Sequence, residues 1–371
     1  VSVGGGGVNV SIEEDPWHTR PQEKTEIIMP AISGVRSYSL GLSASNLKKG
    51  DGQGTLTLNT DVGSITIQSN MLAGVAGTDG EKAQITLGRG DSSNLPEDVR
   101  NAIGNRPLIQ LTMSIDGRQV SWSNEDAPVR VSIPYTPTED ELRSPEGIVV
   151  WYIDGAGNLV MVPGGRYDPE TGTVSFATTH FSYYAVGYNL KSFKDVPGDA
   201  WYAKPVAFIA AREITLGTGD GNFSPEGLLT RGQFIVMLMR AYGIAPDVNF
   251  TDNFSDAGNT YYTGYLAAAK RLGISAGVGN NLFAPEREIS RQEAFALLYN
   301  AQNAVSRLPE DKSGKTLSDF SDAGLLDTWA LEAVSHLVET GVVRGSGGKL
   351  NPADNMTRAE MAQLLYNLLA K

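Results

Sequence analysis

Three arginines stand where binding chemistry is most concentrated. Arg231, Arg291 and Arg358 each follow a Ser or Thr and open a long apolar stretch, in Thr230-Arg231-Gly232-Gln233, Ser290-Arg291-Gln292-Glu293 and Thr357-Arg358-Ala359-Glu360. The hydroxyl residue and the Gln or Glu three places on (Gln233, Glu293, Glu360) fit a capping box, in which each side chain satisfies a backbone donor that the helix start leaves unpaired. Leu229–Phe234, Ile289–Ala294 and Met356–Met361 occupy the two places of a hydrophobic staple. That explains every conserved-looking place of the motif except the arginine. A cation beside the positive end of a helix dipole costs typically about 0.3–1 kcal/mol. Its use in all three copies implies an arriving anion: free N–H groups at a helix start, with a guanidinium fork beside them, suit a carboxylate or a phosphate.

The surroundings of these arginines repeat in register. Pro225, Pro285 and Pro352 lie six residues before them, and Phe193, Phe254 and Phe320 lie 37, 36 and 37 residues before Thr230, Ser290 and Thr357. Such a period defines three copies of one module. Each reads as helix, glycine loop, short extended segment, helix. The first helix has an apolar face at Val206, Ile209 and Ala210, at Leu266, Ala269 and Leu272, or at Leu331, Val334 and Val338. The loops carry Gly217 and Gly219, Gly277 and Gly279, and Gly345 and Gly347, and would let a ligand approach the backbone closely. Trp201, Tyr262 and Trp329, six or seven residues after Asp195, Asp256 and Asp322, would either offer a flat face to a sugar ring or fill the core at a helix start. The aspartates themselves are expected to cap the first helix or its turn.

The first half has a different texture. Thr55–Leu58 and Ser64–Ile67 alternate with period 2 around a turn, and further strands are expected at 109–115, 129–133, 147–153, 159–162 and 173–176. Regular strands punctuated by Gly, Asn and Asp imply a β-sandwich, with a helical stretch near 96–103. Here His180-Phe181-Ser182 holds a second chemical possibility. The tripeptide resembles the self-cleaving site of ZU5 and GAIN-type domains, in which Ser attacks the preceding carbonyl with His as base. Carried over, the scissile bond is Phe181–Ser182, and the requirement is a strained peptide with the hydroxyl in line. The competing expectation is a closing core strand in a spacer domain without catalysis.

Composition narrows the classes. The 371 residues are 41% hydrophobic and 19% charged, as in folded protein. Net charge is −12, which argues against nucleic acid as partner, since a phosphate-binding face requires a basic stripe. Residues 1–190 carry 13 basic and 22 acidic groups and residues 191–371 carry 17 and 20, so the three arginines stand on a nearly neutral background. No apolar run is long enough to span a membrane. Cysteine is absent, a usage common in proteins exported across a Gram-positive envelope. With three histidines (His18, His180, His336) and no Cys, neither a zinc site nor a thiol protease is supported. The two aspartates in 249–256 lack the ligand spacing of a calcium loop. A glycosidase would need paired carboxylates about 5–10 Å apart, which spacing alone does not provide.

The three blocks, Phe-x-Asp, Trp/Tyr, Gly-x-Gly, Phe/Leu-x-Pro and Ser/Thr-Arg-x-Glu/Gln, resemble the S-layer homology repeats of Gram-positive surface proteins. The resemblance covers about 191–371. It implies a mainly α trimer of repeats in pseudo-threefold arrangement after a mainly β sandwich. It also implies binding of a peptidoglycan-linked secondary cell wall polymer, through pyruvate-ketal-bearing N-acetylmannosamine, with Arg231, Arg291 and Arg358 holding the ketal carboxylate. The expected protein is extracellular, non-enzymatic and without cofactor, anchored to the wall, with lattice contacts to other surface proteins compatible. Three weak grooves rigidly joined would raise wall residence by avidity. The first copy departs from the pattern with Gly232-Gln233. The expected organisation is a flexible Gly-rich linker at 1–10, continuous with a larger parent protein upstream, a β-sandwich at 11–190, and repeats at 191–248, 249–312 and 313–371.

Overall fold

The computed structural model describes residues 2–17, 24–49, 52, 54–305 and 312–370. His18 and the stretch 306–311, beside the expected boundary of the second and third repeats, lie outside the described residues. The chain divides into two compact units, Val1–Asn189 and Leu190–Lys371. No helix among the described residues is long and apolar enough to cross a membrane.

The first unit is two β-sheets around a common core. One sheet runs, strand by strand, Ser2–Gly4, Gly7–Ser11, Ser37–Ser43, Lys82–Arg89, Leu108–Ile115, Tyr183–Tyr188, Ile148–Ile153 and Leu159–Val162, with Arg118–Val120 paired to Leu108–Ile115. The other runs Arg166–Asp168, Thr173–Thr178, Val129–Pro134, Ser64–Gln68, Thr55–Asn59 and Lys24–Ile28. Alternate residues point inward, as period-2 patterning requires: Leu56, Leu58, Ile65 and Ile67 of the second sheet and Leu40, Ile85, Leu87 and Leu111 of the first are all buried. Two short α-helices, α1 (Glu97–Ile103) and α2 (Glu139–Arg143), accompany the sheets among the described residues.

Residues 2–11 correct an expectation. Instead of a flexible linker, Gly5 and Gly6 form a tight turn (φ 60° and 76°) between two antiparallel strands, and Gly7–Ser11 adds in parallel to Ser37–Ser43. The glycines that read as linker composition supply the positive φ that such a turn requires, and Val8 is buried beneath the sheet.

Among its described residues the second unit holds six α-helices in three pairs: α3 (Ala203–Ala211) and α4 (Arg231–Ala241), α5 (Thr263–Arg271) and α6 (Arg291–Ala304), α7 (Leu331–Glu339) and α8 (Arg358–Leu369). The first helix of each repeat packs on the second helix of the repeat before it, cyclically: α5 on α4, α7 on α6 and α3 on α8. Phe208 of α3 meets Tyr366 of α8 edge-on, for example. At the centre the three extended segments close a ring of backbone hydrogen bonds. Leu229 N–H donates to Met356 O, Met356 N–H to Ile289 O and Ile289 N–H to Leu229 O, each at 3.0 Å. Leu229, Ile289 and Met356 are fully buried there, as the staple pattern requires. One continuous core runs through all three repeats.

Candidate functional site

Each arginine sits at the first position of its repeat's second helix, after a capping box that is present in all three copies. The free helix-start donors expected for an anion are, however, already used. The N–H of Arg231 donates to Arg287 O, that of Arg291 to Asp354 O and that of Arg358 to Gly227 O. The next N–H groups, of Gly232, Gln292 and Ala359, donate to the carbonyls of Pro285, Pro352 and Pro225. The third is taken by the capping hydroxyl. Every acceptor of the first two kinds belongs to the following repeat in the cycle, so these donors join repeats and present nothing to solvent.

The arginine side chains follow the same path. Nε of Arg231 donates to Phe283 O (2.8 Å), Nε of Arg291 to Leu350 O (2.8 Å) and Nε of Arg358 to Phe223 O (2.6 Å). Each guanidinium thereby ties its own repeat to the loop of the next. The carbonyls it meets offset the positive helix end that makes a cation unfavourable at this position. Residue exposure is only 3% for Arg231 and 6% for Arg358. Burial holds both guanidinium groups below the ordinary arginine range, against the pull of Glu293 on Arg231 and of Tyr261 and Asp195 on Arg358. Arg231 Nη1 pairs with Glu293 at 3.1 Å, and Arg291 Nη1 with Glu360 at 2.5 Å.

The aspartates act on the loop and do not cap a helix. Asp195 accepts the N–H groups of Phe223 and Ser224, Asp256 those of Phe283 and Ala284, and Asp322 those of Leu350 and Asn351. Ser224, Ala284 and Asn351 each stand at positive φ (58°, 57° and 49°), a conformation that costs a non-glycine residue roughly 1–2 kcal/mol. The carboxylate clamp holds that strained residue and so fixes the carbonyl of the preceding Phe or Leu, the one the arginine meets. Burial would raise Asp195 and Asp322, but these two backbone donors outweigh it and keep both carboxyls below their usual range.

The loop glycines divide into two kinds. A Cβ at Gly217, Gly277 or Gly345 would lie far inside van der Waals contact with Phe193, Phe254 or Phe320 of the same repeat, at a backbone of φ 82°, 82° and 67°. Those glycines serve loop closure. Gly219, Gly279 and Gly347 have open space around them. Among the aromatics, Trp201 and Trp329 are 59% and 54% exposed, whereas Tyr262 is 5% exposed and its hydroxyl is bonded to Glu286. Tyr262 therefore offers no ring face. The exposed ring beside it is Tyr261, at 59%. Trp201, Tyr261 and Trp329 each immediately precede the N-cap of the first helix (Tyr202, Tyr262, Ala330). Counting from the aspartate misses this by one residue, and the paired aromatics Trp201-Tyr202 and Tyr261-Tyr262 hold the signal that would have set the register.

In the first unit, His180 and Ser182 are not brought together for catalysis. The Ser182 hydroxyl donates to Ile153 O at 2.8 Å, and the His180 ring packs edge-on against Tyr152. Burial lowers the His180 pKa, and none of residues 178–184 has positive φ. The tripeptide joins two strands whose core residues, Phe176 and Tyr184, stack at 4.8 Å.

The three arginine-tied repeats of this cyclic helical unit, at residues 192–235, 253–295 and 319–362, each match the S-layer homology domain. The second half of the chain is built of three such domains, after a mainly β first half, and they mark a protein of the Gram-positive cell surface, anchored at the wall. The chain is 30% identical over 276 residues to an amylopullulanase of Thermoanaerobacterium thermosulfurigenes, covering 74% of this chain and 14% of that protein. It is 31% identical over 175 residues to S-layer protein EA1 of Bacillus anthracis (47% of this chain, 20% of that one) and 31% over 189 residues to an endoglucanase of a Bacillus species (49% and 19%). The chain thus spans a fifth or less of these relatives. The match to the amylopullulanase is longer than the helical unit and extends into the β unit.

Proposed function

We propose that this chain is a non-covalent wall anchor that grips a pyruvylated secondary cell wall polymer at the junctions between its three repeats, with the β unit as spacer and with no catalysis of its own. The observation that carries the reading is the arginine at each junction. Three copies keep a cation at a helix start, buried in Arg231 and Arg358 and half-buried in Arg291, an arrangement that favours an anionic ligand, and each stands at the seam of two repeats. Only Nε is committed in the same way in all three, so the terminal nitrogens are what a ketal carboxylate would engage. Exposed Trp201, Tyr261 and Trp329 supply ring faces for a glycan.

The test is sedimentation of the full chain with purified sacculi, before and after the secondary polymer is stripped. Retention that depends on the polymer is the expected result; equal retention on stripped walls overturns the reading. Replacing the arginines by alanine is a poor control unless melting is followed in parallel, because Arg231 and Arg358 are also buried inter-repeat ties. The self-cleavage alternative draws no support from the Ser182 hydroxyl, which is held on Ile153 O.

A further inference from the structure

We propose that the three arginine junctions are chemically unequal, and that the one built on Arg358 is this chain's principal anion receptor. The inference rests on the wall-binding reading above and assigns the ligand to one seam.

The difference lies in what each guanidinium already holds. Between the first and second repeats, Glu293 takes Arg231 at 3.1 Å and also Arg287 at 2.5 Å, so one carboxylate serves two arginines. Between the second and third, Glu360 takes Arg291 at 2.5 Å, and Asp354 stands where the second repeat has Arg287. That junction is neutralised from within and carries a surplus acid. Between the third and first repeats, the corresponding place belongs to Gln233. Arg358 then has only neutral partners, Phe223 O on Nε and the Thr215 hydroxyl on Nη2 at 3.3 Å, and forms no ion pair among the described residues. Asp195 is near enough to be felt by Arg358, but it is spent on the N–H groups of Phe223 and Ser224. Asp256 and Asp322 do the same work in the other repeats, so this acid does not distinguish the junctions.

Arg358 is therefore a buried cation, 6% exposed, that pairs with no carboxylate among the described residues, a state that folded proteins rarely leave uncompensated. Its Nη1 has no acceptor among the described residues. Gln233 adds to this. Its carbonyl oxygen completes the capping box by accepting the N–H of Thr230, and its amide NH2 has no acceptor among the described residues. Where Glu would repel an incoming anion, Gln offers it a donor. Tyr261, exposed and within electrostatic reach of Arg358, adds a ring face beside the charge. The chemistry called for is a single carboxylate or phosphate carried on a sugar.

The test is a change of one atom type. Gln233→Glu keeps the capping box in the form used by the second and third repeats, so the fold is preserved, and it supplies Arg358 with the ion pair the other arginines have. Glu360→Gln does the reverse at the Arg291 junction. Full-length wild type and both variants are titrated against polymer-bearing and polymer-stripped sacculi, with melting recorded for each. Gln233→Glu should weaken polymer-dependent binding by about tenfold or more, the value of one charge-assisted contact, while melting no lower than wild type. Glu360→Gln should bind at least as well as wild type. If wild type needs the polymer and Gln233→Glu binds equally well, the assignment to Arg358 fails and the wall-anchor reading stands. If wild type binds stripped walls equally, the polymer reading itself fails.

Discussion

Replacing Arg231 and Arg358 by Met, one at a time, should destabilise the helical unit by clearly different amounts. Arg231→Met removes the 2.8 Å bond to Phe283 O and the 3.1 Å pair with Glu293. A buried carbonyl left without its donor costs about 1–3 kcal/mol. Loss of a pair whose arginine side chain is 4% exposed adds to this, softened because Glu293 keeps Arg287. The total is about 3 kcal/mol, at the lower edge of the roughly 3–5 kcal/mol of a buried pair broken outright. Arg358→Met also orphans a carbonyl, that of Phe223, but strands no carboxylate and removes an uncompensated buried charge, so about 1 kcal/mol is expected. In a unit of this size each kcal/mol lowers the melting point by roughly 2–4 °C. Thermal unfolding of the full chain followed at 222 nm should show a drop of about 6–12 °C for Arg231→Met and about 2–4 °C for Arg358→Met. Equal drops, or the reverse order, would refute the claim that these two arginines differ in electrostatic satisfaction.

Acid should weaken the same unit through its loop clamps. Because the folded-state pKa values of Asp195 and Asp322 are depressed, their contribution is present above the unfolded carboxyl value of about 4 and is lost as pH falls below it; a melting point at pH 3 no lower than at pH 7 would contradict this. Gly277→Ala should cost at least about 2 kcal/mol, since the new methyl meets Leu282 O and Phe254 at positive φ. Ala284→Gly should stabilise by about 1 kcal/mol by relieving a φ of 57°, and chemical unfolding of the pair tests both signs. A denaturing gel should show one 39.6 kDa band; two fragments meeting at Phe181–Ser182 would reinstate cleavage.

Local features of this fold were legible because their causes are local. The capping boxes at Thr230, Ser290 and Thr357 need only four consecutive residues, and all three are present. Period-2 alternation in Thr55–Asn59 and Ser64–Gln68 reports one buried face of a strand without reference to its partner. What stayed hidden depends on closure. No local pattern says that the N–H groups of Arg231 and Gly232 will meet carbonyls of another repeat more than 50 residues away. The aspartates looked like helix caps because their targets, 27 to 29 residues on, lie across a loop. Gly5 and Gly6 read as linker because glycine serves a tight turn and a flexible chain equally well. At the candidate site the arginines were visible as an anomaly, but their burial was not, and Tyr261 was hidden by a one-residue difference in loop length.

The ring formed by Leu229, Met356 and Ile289 has a consequence for how this anchor is built and broken. A linear array of repeats has two ends, can be lengthened or trimmed, and frays from its termini. Here each repeat's edge is the next one's edge, and the third returns to the first. The number three is thus a property of geometry: a fourth copy spliced between any two would find no free edge, and excision of one would open two. Nor is there a terminus from which to unzip, so pulling on the chain must breach a closed circuit before any single repeat can let go.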